Sequence, residues 1–371
     1  MEQRINMENN ISALAAAREE INNTDREMAR LFEKRMAAAE KIAAYKKQNG
    51  LPIEDKTREA LLIEKNEKYI ENDAIREYYV TFLKDTMAVS KEYQRRLLDG
   101  MRVAYSGVKG AFAYIAAERV FPEAKKISYG DFKVAYRAVE KGECDCAVLP
   151  LENSFEGDVA QVLDLEYFGS LYVNGVYDLP VEHHLFALDG ASFSDIKNVM
   201  SHPQALGQCS EFIEKQKLGS VECENTALAA KTVFENKDKS CAVICSLEAG
   251  ERYGLKLLCR KINNDSLNTT RFAVFSRTPA QCSENCNFII MFTVKDEAGS
   301  LGKALAVFGE EGYNLKALKS RPSKEVIWNY YFLLEASGDF GDEKQREIFE
   351  KLNAVCTNVK LVGRYGKEVR L

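Results

Sequence analysis

The sequence lacks any long apolar run: no stretch of its 371 residues is apolar over the length that a membrane-spanning helix needs. Its first residues read MEQRINMENNIS and contain no apolar core of the kind found in secretion signals. We therefore expect a cytoplasmic protein that does not associate with membranes.

Histidine is scarce, with 3 residues in the chain, and the 10 cysteines include no Cys-x-x-Cys pair. The cysteines closest in sequence are irregularly spaced: Cys144 and Cys146, Cys241 and Cys245, Cys282 and Cys286. Because zinc sites need regular ligand pairs, we expect no metal, and nothing in the sequence calls for a cofactor. In a reducing compartment the cysteines are expected to be buried thiols rather than disulfides.

A strong excess of one charge is also missing. The chain has 51 basic and 56 acidic residues, a net charge of -5, and no basic stripe. Nucleic-acid binding is therefore not expected, because it requires clustered cations. No Gly-x-Gly-x-x-Gly follows a strand, which argues against a nicotinamide-dependent dehydrogenase. The composition, 46% hydrophobic and 29% charged, is typical of globular proteins, and the length suits two or three domains.

Three segments differ in the period of their apolar residues. Residues 1–99 are typical of helices, with one proline, Pro52, in a break at residues 49–52. Residues 101–278 alternate short apolar strands with helices, which predicts an α/β domain. After a polar linker, residues 286–371 follow a βαββαβ order that is typical of ferredoxin-like domains, with strands at 288–294, 314–320, 326–335 and 359–363.

The first helix carries cations where apolar residues are expected. A helical wheel places Arg35 and Lys46 in the middle of an apolar stripe that contains Ile21, Met28, Leu31, Phe32 and Ile42. A later helix has Leu83, Met87, Ser90, Gln94 and Leu97 on one seam, so that a hydroxyl and an amide take core positions. Snorkelling cations and a polar pair that fixes helix register would explain these residues structurally. A polar ligand inside a helical bundle explains them together. Three such helices make a thin core, which predicts helices from a second chain.

These residues resemble the active-site pattern of the all-helical chorismate mutase family, whose fold is a dimer of intertwined three-helix chains. The resemblance covers the whole first segment. It implies that Lys46 and Gln94 donate to the ether oxygen of chorismate as it rearranges to prephenate. It implies binding roles for Arg18, Arg35, Asp55, Arg58, Glu59 and Ser90, with Arg18 reaching the site of the partner chain. No proton transfer is needed, so the enzyme holds a dicarboxylate and stabilises developing charge.

The middle segment carries five short strings that resemble the prephenate dehydratase family: residues 107–110, 151–154, 201–204 with Gln208, 224–226 and 269–272. Each string alone is typical of turns and caps, but their order is specific. The family fold has two lobes like a bacterial solute-binding protein, expected here at 101–179 plus 266–278 and at 180–265. The resemblance implies that Thr270 donates a hydrogen bond to the departing hydroxyl of prephenate and that Arg271 binds a carboxylate. The other implied binding residues are Glu152, Asn153, Ser154, Ser201, Gln204 and Gln208. The chain departs from the family pattern at Val108, Ala111, Ala113 and Tyr114.

The last segment is similar to the ACT domains attached to prephenate dehydratases. Gly299, Ser300 and Leu301 open a helix, and Ser320, Arg321 and Pro322 end a later strand. The resemblance implies that these six residues bind phenylalanine between paired domains, with the carboxylate at a helix N-terminus. Lys319 stands where the family usually has glutamate. A domain that serves only for dimerisation is the structural alternative.

The leading interpretation is a homodimeric or larger enzyme of phenylalanine biosynthesis with two activities and feedback inhibition by L-phenylalanine. One alternative is a dehydratase with a single activity, whose first segment is only a dimerisation bundle. Another is an amino-acid sensor without catalytic activity. The eight matching polar residues argue against the first alternative, and the Thr-Arg-Phe string argues against the second.

Overall fold

The computed structural model describes residues 2–265, 267–282, 286–322 and 330–371, with side chains from residue 13 onward. The chain divides into two compact units, Met1–Gly100 and Met101–Leu371. Among the described helices, none is both long and apolar enough to cross a membrane. The predicted order of an all-helical segment, an α/β segment and a ferredoxin-like segment is confirmed.

The first unit contains three α-helices: α1 (Glu2–Asn49), α2 (Lys56–Asn66) and α3 (Asp73–Asp99). Helix α1 ends at the predicted break, where Gly50 takes a left-handed conformation with φ of 64°. The side chain of Asp55 accepts a hydrogen bond from the Arg58 N–H and caps α2, while Asn72 caps α3 in the same way. Polar residues at the helix starts therefore set the boundaries.

Helix α1 packs on α3, and the small residues Ala39 and Ala43 of α1 and the apolar residues Leu83 and Met87 of α3 are buried. Four of the five predicted seam residues of α3 are buried, and Leu97 is exposed. The predicted apolar stripe of α1 is not covered within one chain. Its exposed members are Ile21, Met28, Leu31, Phe32 and Ile42.

The second unit begins with elements of α/β type. They are β1 (Arg102–Ser106), α4 (Phe112–Val120), β2 (Lys125–Tyr129), α5 (Phe132–Glu140), β3 (Cys146–Asn153), β4 (Gly157–Asp158), α6 (Ala160–Phe168) and β5 (Tyr172–Pro180). The next group comprises β6 (His184–Ala187), β7 (Asn198–Ser201), α7 (Pro203–Gly207), α8 (Ser210–Gln216), β8 (Gly219–Glu222), α9 (Thr226–Asn236), β9 (Cys241–Cys245), α10 (Leu247–Arg252) and β10 (Lys256–Cys259).

The chain then returns through β11 (Thr269–Ser276) and continues with β12 (Cys286–Thr293), α11 (Ser300–Glu310), β13 (Asn314–Pro322), β14 (Tyr330–Gly338), α12 (Asp342–Val355), β15 (Asn358–Tyr365) and β16 (Val369–Arg370). Most of the predicted C-terminal elements are confirmed within a few residues. The predicted start of one strand, at residues 326–329, lies outside the described residues.

The strands form two sheets. The larger has the order β13-β14-β12-β15-β5-β11-β3-β1-β2, with β16 added to β5 and β4 to β3. The smaller has the order β10-β6-β9-β7-β8. The chain crosses from the first sheet to the second between β5 and β6, and returns between β10 and β11. These two crossings connect two lobes and leave a cleft between them.

The expectation that all cysteines are thiols is wrong for one pair, because Cys282 and Cys286 form a disulfide with their Cα atoms 6.0 Å apart. That separation lies in the range that disulfides require, and the start of β12 brings the two residues together. The other eight cysteines form no disulfide.

Candidate active sites

A polar group lies between α1 and α3 in the first unit. The guanidinium of Arg35 donates hydrogen bonds to the Ser90 hydroxyl and, at 3.3 Å, to the Thr86 carbonyl. Ser90 is 5% exposed, so the structure brings together two of the predicted residues. Burial lowers the pKa of Arg35, and no carboxylate in the described part of the chain pairs with it. An uncompensated, half-buried cation is a suitable partner for an anionic ligand.

Two further predicted residues lie along the same helices. The ammonium of Lys46 donates to the Ile53 carbonyl, which follows the break after α1. Gln94 is buried, one turn after Ser90, and its Oε1 has no hydrogen-bond partner in the described structure. A buried amide oxygen without a donor is costly in a bundle that is complete by itself, so this position is suited to a polar ligand.

The remaining predicted residues of this segment have different surroundings. Glu59 accepts from Lys91 with both carboxylate oxygens at 3.0 Å, so it does not neutralise Arg35 or Lys46. Asp55 caps α2, and Arg58 and Arg18 are exposed. Lys91, which follows Ser90 directly and pairs with Glu59 and Glu54, was not among the predicted residues.

The centre of the second unit is a hydrogen-bonded pair on neighbouring strands. Thr270 on β11 lies directly opposite Asn153 at the end of β3. The amide –NH₂ of Asn153 donates to the Thr270 Oγ1 at 2.9 Å and to the Asn268 Oδ1 at 2.9 Å. Its Oδ1 accepts from the backbone N–H groups of Phe155 and Glu156. Because Thr270 already accepts from Asn153, its own hydroxyl proton is free to donate elsewhere.

Asn153 and Thr270 lie in a cavity of about 540 Å³ between the lobes. Predicted residues Gln204 and Gln208 also line it, as do residues at the starts of α4, α7 and α9. The lobes touch nearby, where Arg119 pairs with Glu248 at 2.7 Å. The cavity is large enough for a small dicarboxylic acid.

Acidic and neutral groups line this cavity, and among the described lining residues there is no lysine or arginine. Its acidic members are Glu156, Asp158 and Glu224. Positive potential is available from helix N-termini. Helix α4 has Ala111 as its N-cap, whose side chain makes no cap hydrogen bond. The first N–H groups of α4 therefore remain available at the cavity.

Four predicted residues do not line the cavity. Arg271 is the main correction, because successive residues of a strand point to opposite faces. Its guanidinium pairs instead with Glu335 at 2.9 Å and with Glu368 at 2.8 Å. Burial by itself would lower the pKa of Arg271, but the hydrogen bond and charge of Glu335 outweigh it, and the pKa is raised. The carboxylate ligand expected from Arg271 is therefore not supported.

The other three have structural partners. Glu152 faces the same side as Arg271 and accepts from Lys319 at 2.7 Å. The Ser154 hydroxyl accepts from the Thr269 N–H at 3.1 Å. Ser201 is fully buried and donates to the Ile244 carbonyl at 2.6 Å. Ser154 and Ser201 therefore bind backbone groups, and Glu152 binds a lysine side chain, rather than lining the cavity.

The departures from the family pattern have different positions. Ala111 and Ala113 line the cavity, where they leave space and provide no hydroxyl groups. Val108 is exposed. Tyr114 packs against Tyr105 with ring centroids 5.4 Å apart and does not line the cavity.

The predicted effector residues lie at one end of the C-terminal part of the larger sheet. Ser320 and Arg321 on β13 pair with two residues of β14. Those two residues of β14 also pair with the end of β12, and the chain runs from that end to α11. Gly299 is the N-cap of α11 with φ of 83°. Ser300 is buried, Leu301 is half-buried, and Pro322 ends β13 on the surface. Arg321 pairs with Asp164 of α6 at 3.3 Å, so this predicted effector residue contacts the α/β segment.

His183 is a cavity residue that sequence reasoning missed. It is 2% exposed, and the edge of its ring meets Phe112 with centroids 5.7 Å apart. Burial lowers the pKa of His183 to about 4. Histidine is rare in this sequence, and two of the 3 histidines are adjacent. This is the signal that points to His183. Among the described residues there is no cluster of three or more metal-binding side chains.

Three family models match the chain in succession: chorismate mutase type II over residues 17–95, prephenate dehydratase over 103–280 and the ACT domain over 288–354. The bifunctional chorismate mutase/prephenate dehydratase of Aquifex aeolicus is 30% identical over 361 residues, covering 95% of this chain and 98% of that protein.

Two other similar proteins match 71% and 72% of this chain. The chloroplastic arogenate dehydratase/prephenate dehydratase 2 of Arabidopsis thaliana is 35% identical over 277 residues, 71% of this chain and 72% of the relative. The crystal structure of prephenate dehydratase from Arthrobacter aurescens in complex with L-Phe has a TM-score of 0.66 and 26% identity, covering 72% of this chain and 90% of that one. From the order of the segments and the full-length match, the chain belongs to the bifunctional chorismate mutase/prephenate dehydratase family.

Proposed function

We propose that this chain rearranges chorismate to prephenate in its first unit and converts prephenate to phenylpyruvate in its second, under feedback inhibition by L-phenylalanine. The observation that carries the proposal is the Asn153–Thr270 pair, which holds a free hydroxyl proton in an interlobe cavity. The half-buried Arg35, which lacks an anionic partner in the described structure, supports the mutase activity.

The proposed mutase chemistry needs electrostatics and shape only. Arg35 binds a carboxylate of chorismate, which supplies the anion that the protein does not provide. Lys46 and Gln94 then donate to the ether oxygen, where negative charge grows as the carbon–oxygen bond breaks. Donors held in place before reaction are effective because they do not have to reorganise.

In the proposed dehydratase chemistry, prephenate loses its ring carboxylate as carbon dioxide and its hydroxyl as hydroxide, which takes up a proton from solvent to become water. Thr270 donates to the departing oxygen while Asn153 fixes its orientation. The scarcity of cations in the cavity is favourable for this step, because the leaving carboxylate loses its charge in the transition state. A cation beside it would stabilise the ground state more than the transition state.

The proposed inhibition by phenylalanine has a route through described contacts. Lys319, next to the effector residues on β13, pairs with Glu152 and Asp158. These two acids flank Asn153, and their strands β3 and β4 pair beside the cavity. A shift of β13 on effector binding would therefore act on the segment that carries Asn153.

We also propose a homodimer formed through α1. Its exposed stripe includes Ile21, Leu31 and Phe32, which are 59%, 56% and 43% exposed in the single chain. Apolar residues at helical spacing are normally covered in a bundle. In such a dimer Arg18, which is exposed, would reach the site of the partner. The proposal includes a cytoplasmic location, which cell fractionation would test.

The test follows purified full-length protein given chorismate, with chorismate loss and phenylpyruvate formation recorded with and without phenylalanine. We expect both reactions to proceed and phenylalanine to slow the second. Arg35→Ala is expected to stop only the first reaction and Thr270→Ala only the second. Sedimentation with and without substitution of Phe32 by Glu reports the dimer.

Two outcomes identify the alternatives. If chorismate is untouched while added prephenate is consumed, the first unit is only a helical bundle. If phenylalanine binds but neither substrate reacts, the protein is an amino-acid sensor.

A further inference from the structure

The segment that carries His183 is held in the cleft by hydrogen bonds of its backbone. It lies in the crossing between β5 and β6, and its backbone N–H donates to the Asn263 Oδ1 at 2.7 Å. Its carbonyl accepts from the Ile262 N–H at 2.9 Å, and the Asn263 amide donates to the Val181 carbonyl at 3.0 Å. Hydrogen bonds therefore connect the two crossings between the lobes at His183. They fix the position of the backbone from which the imidazole extends.

The ring of His183 has one hydrogen-bond partner in the described structure, the amide of Gln208. The imidazole Nε2 lies 2.9 Å from the Gln208 Oε1. The other ring nitrogen, Nδ1, is buried without a partner. Phe112, the first residue of α4, packs against the ring. The imidazole is therefore held between an aromatic ring from one lobe and an amide from the other.

This contact fixes the direction of the hydrogen bond. An imidazole kept neutral by burial has a single N–H, and the lowered pKa of His183 keeps it neutral near pH 7. Because the amide presents its oxygen to Nε2, the N–H must be on Nε2 and donate to Gln208. The amide –NH₂ of Gln208 is then directed away from His183, and no acceptor in the described part of the chain takes it.

We propose that His183 is a positioning residue of the dehydratase site, which holds the Gln208 amide with its –NH₂ turned toward an oxygen of the bound dicarboxylate. The inference rests on the proposed function. The two orientations of a glutamine amide have almost the same shape, so packing alone does not select between them. The reversed orientation would direct a carbonyl oxygen at an anionic substrate in a cavity that already contains three carboxylates.

The first test is a double-mutant cycle in the full-length enzyme with prephenate as substrate. His183→Leu is expected to raise KM about tenfold, the lower end for one hydrogen bond to a charged group. The change in kcat is expected to be smaller, because the lost contact is a binding contact. Gln208→Ala should give a similar change, and the double variant should be no worse than Gln208→Ala alone.

A matched control is available at the next residue. His184 is also buried, at 3%, but it does not line the cavity, and its Nδ1 accepts from the Lys261 N–H at 3.1 Å. His184→Leu is expected to leave KM unchanged even if it lowers thermal stability. His183→Gln, which keeps a donor near the Nε2 position, is expected to restore part of the wild-type KM.

The second test needs no substitution at His183. In protein labelled with ¹⁵N-histidine only 3 imidazoles are visible, and His183 is assigned by its persistence in the His184→Leu and His202→Leu variants. We expect the neutral Nε2–H tautomer at pH 7.

Several results would overturn the inference. They are an Nδ1–H tautomer, an unchanged KM in a folded His183→Leu variant, or multiplicative effects in the double variant. If the wild-type enzyme does not convert prephenate, the proposed function fails instead, and the tautomer measurement still decides the His183–Gln208 contact.

Discussion

Replacing Asn153 by aspartate tests the proposed role of Thr270 with almost no change in shape. The aspartate keeps the oxygen that accepts from the Phe155 and Glu156 N–H groups, so the loop is retained. It loses the –NH₂ that donates to Thr270 and Asn268. The Thr270 hydroxyl would then donate to the new carboxylate, and its proton would no longer be available to the leaving oxygen.

The magnitude follows from the contacts. The lost hydrogen bond to Asn268, which is 3% exposed, lowers the stability of the fold, whereas the hydrogen bond that Thr270 no longer donates to the charged departing oxygen is worth about 1.5–3 kcal/mol in the transition state. That loss corresponds to a fall in kcat/KM for prephenate of about 10- to 150-fold. The assay is phenylpyruvate formation, and chorismate consumption by the same preparation should be unchanged.

Asn225→Asp is the matched control for charge. Asn225 lines the same cavity and caps α9 by accepting from the Leu228 N–H at 2.7 Å, which aspartate does equally well. Both variants add one negative charge and remove an –NH₂ group, but only the –NH₂ of Asn153 donates hydrogen bonds to Thr270 and Asn268. Equal losses in the two variants would show that the reasoning about the Thr270 proton is wrong.

Three further predictions concern stability and redox state. Burial raises the pKa of Glu166 to about 8 from 4.5. The folded state therefore binds the Glu166 proton more tightly than the unfolded state does. The stability that this proton contributes is lost as the pH rises from about 5 to 8. The charged groups that face this carboxyl are Lys319, Glu335, Lys360 and Asp158. In urea unfolding, the Glu166→Gln variant should gain stability relative to the wild type as the pH rises across this range. A difference in unfolding free energy that stays constant with pH would contradict the raised pKa of Glu166. Gly169→Ala should lower Tm, because a Cβ there would lie 2.5 Å from the Leu165 carbonyl, whereas Gly302→Ala, with nothing within 4 Å, should not; equal Tm values in the two variants would refute this packing. Alkylation of unfolded, unreduced protein should modify eight of the 10 cysteines, and ten modified residues would exclude the Cys282–Cys286 bond.

The contacts of Arg271 explain why a string of residues can be specific without every member binding substrate. Its guanidinium is held by Glu335 and Glu368, which come from the C-terminal segment. In the sequence, the cation next to Thr270 suggests a residue that binds a carboxylate of the substrate. The alternation of side chains along β11 instead directs Arg271 toward the regulatory part.

The sequence by itself determined the three segments, the break after α1 and the buried polar seam of Ser90 and Gln94. These depend on local features: the period of apolar residues, turn residues and helix caps, which act over a few positions. Thr270 and Asn153 were also identified from the sequence as candidates, although not as hydrogen-bonded partners.

Only the tertiary structure decided which candidates meet. The pairing of β3 with β11 joins residues that are 117 positions apart, as in the Asn153–Thr270 hydrogen bond. The same packing directs Arg271 and Glu152 away from the cavity, brings His183 to Gln208, and closes the Cys282–Cys286 bond. Strand register and the crossing between lobes depend on contacts distant in the chain, and such contacts leave no periodic signal in the sequence.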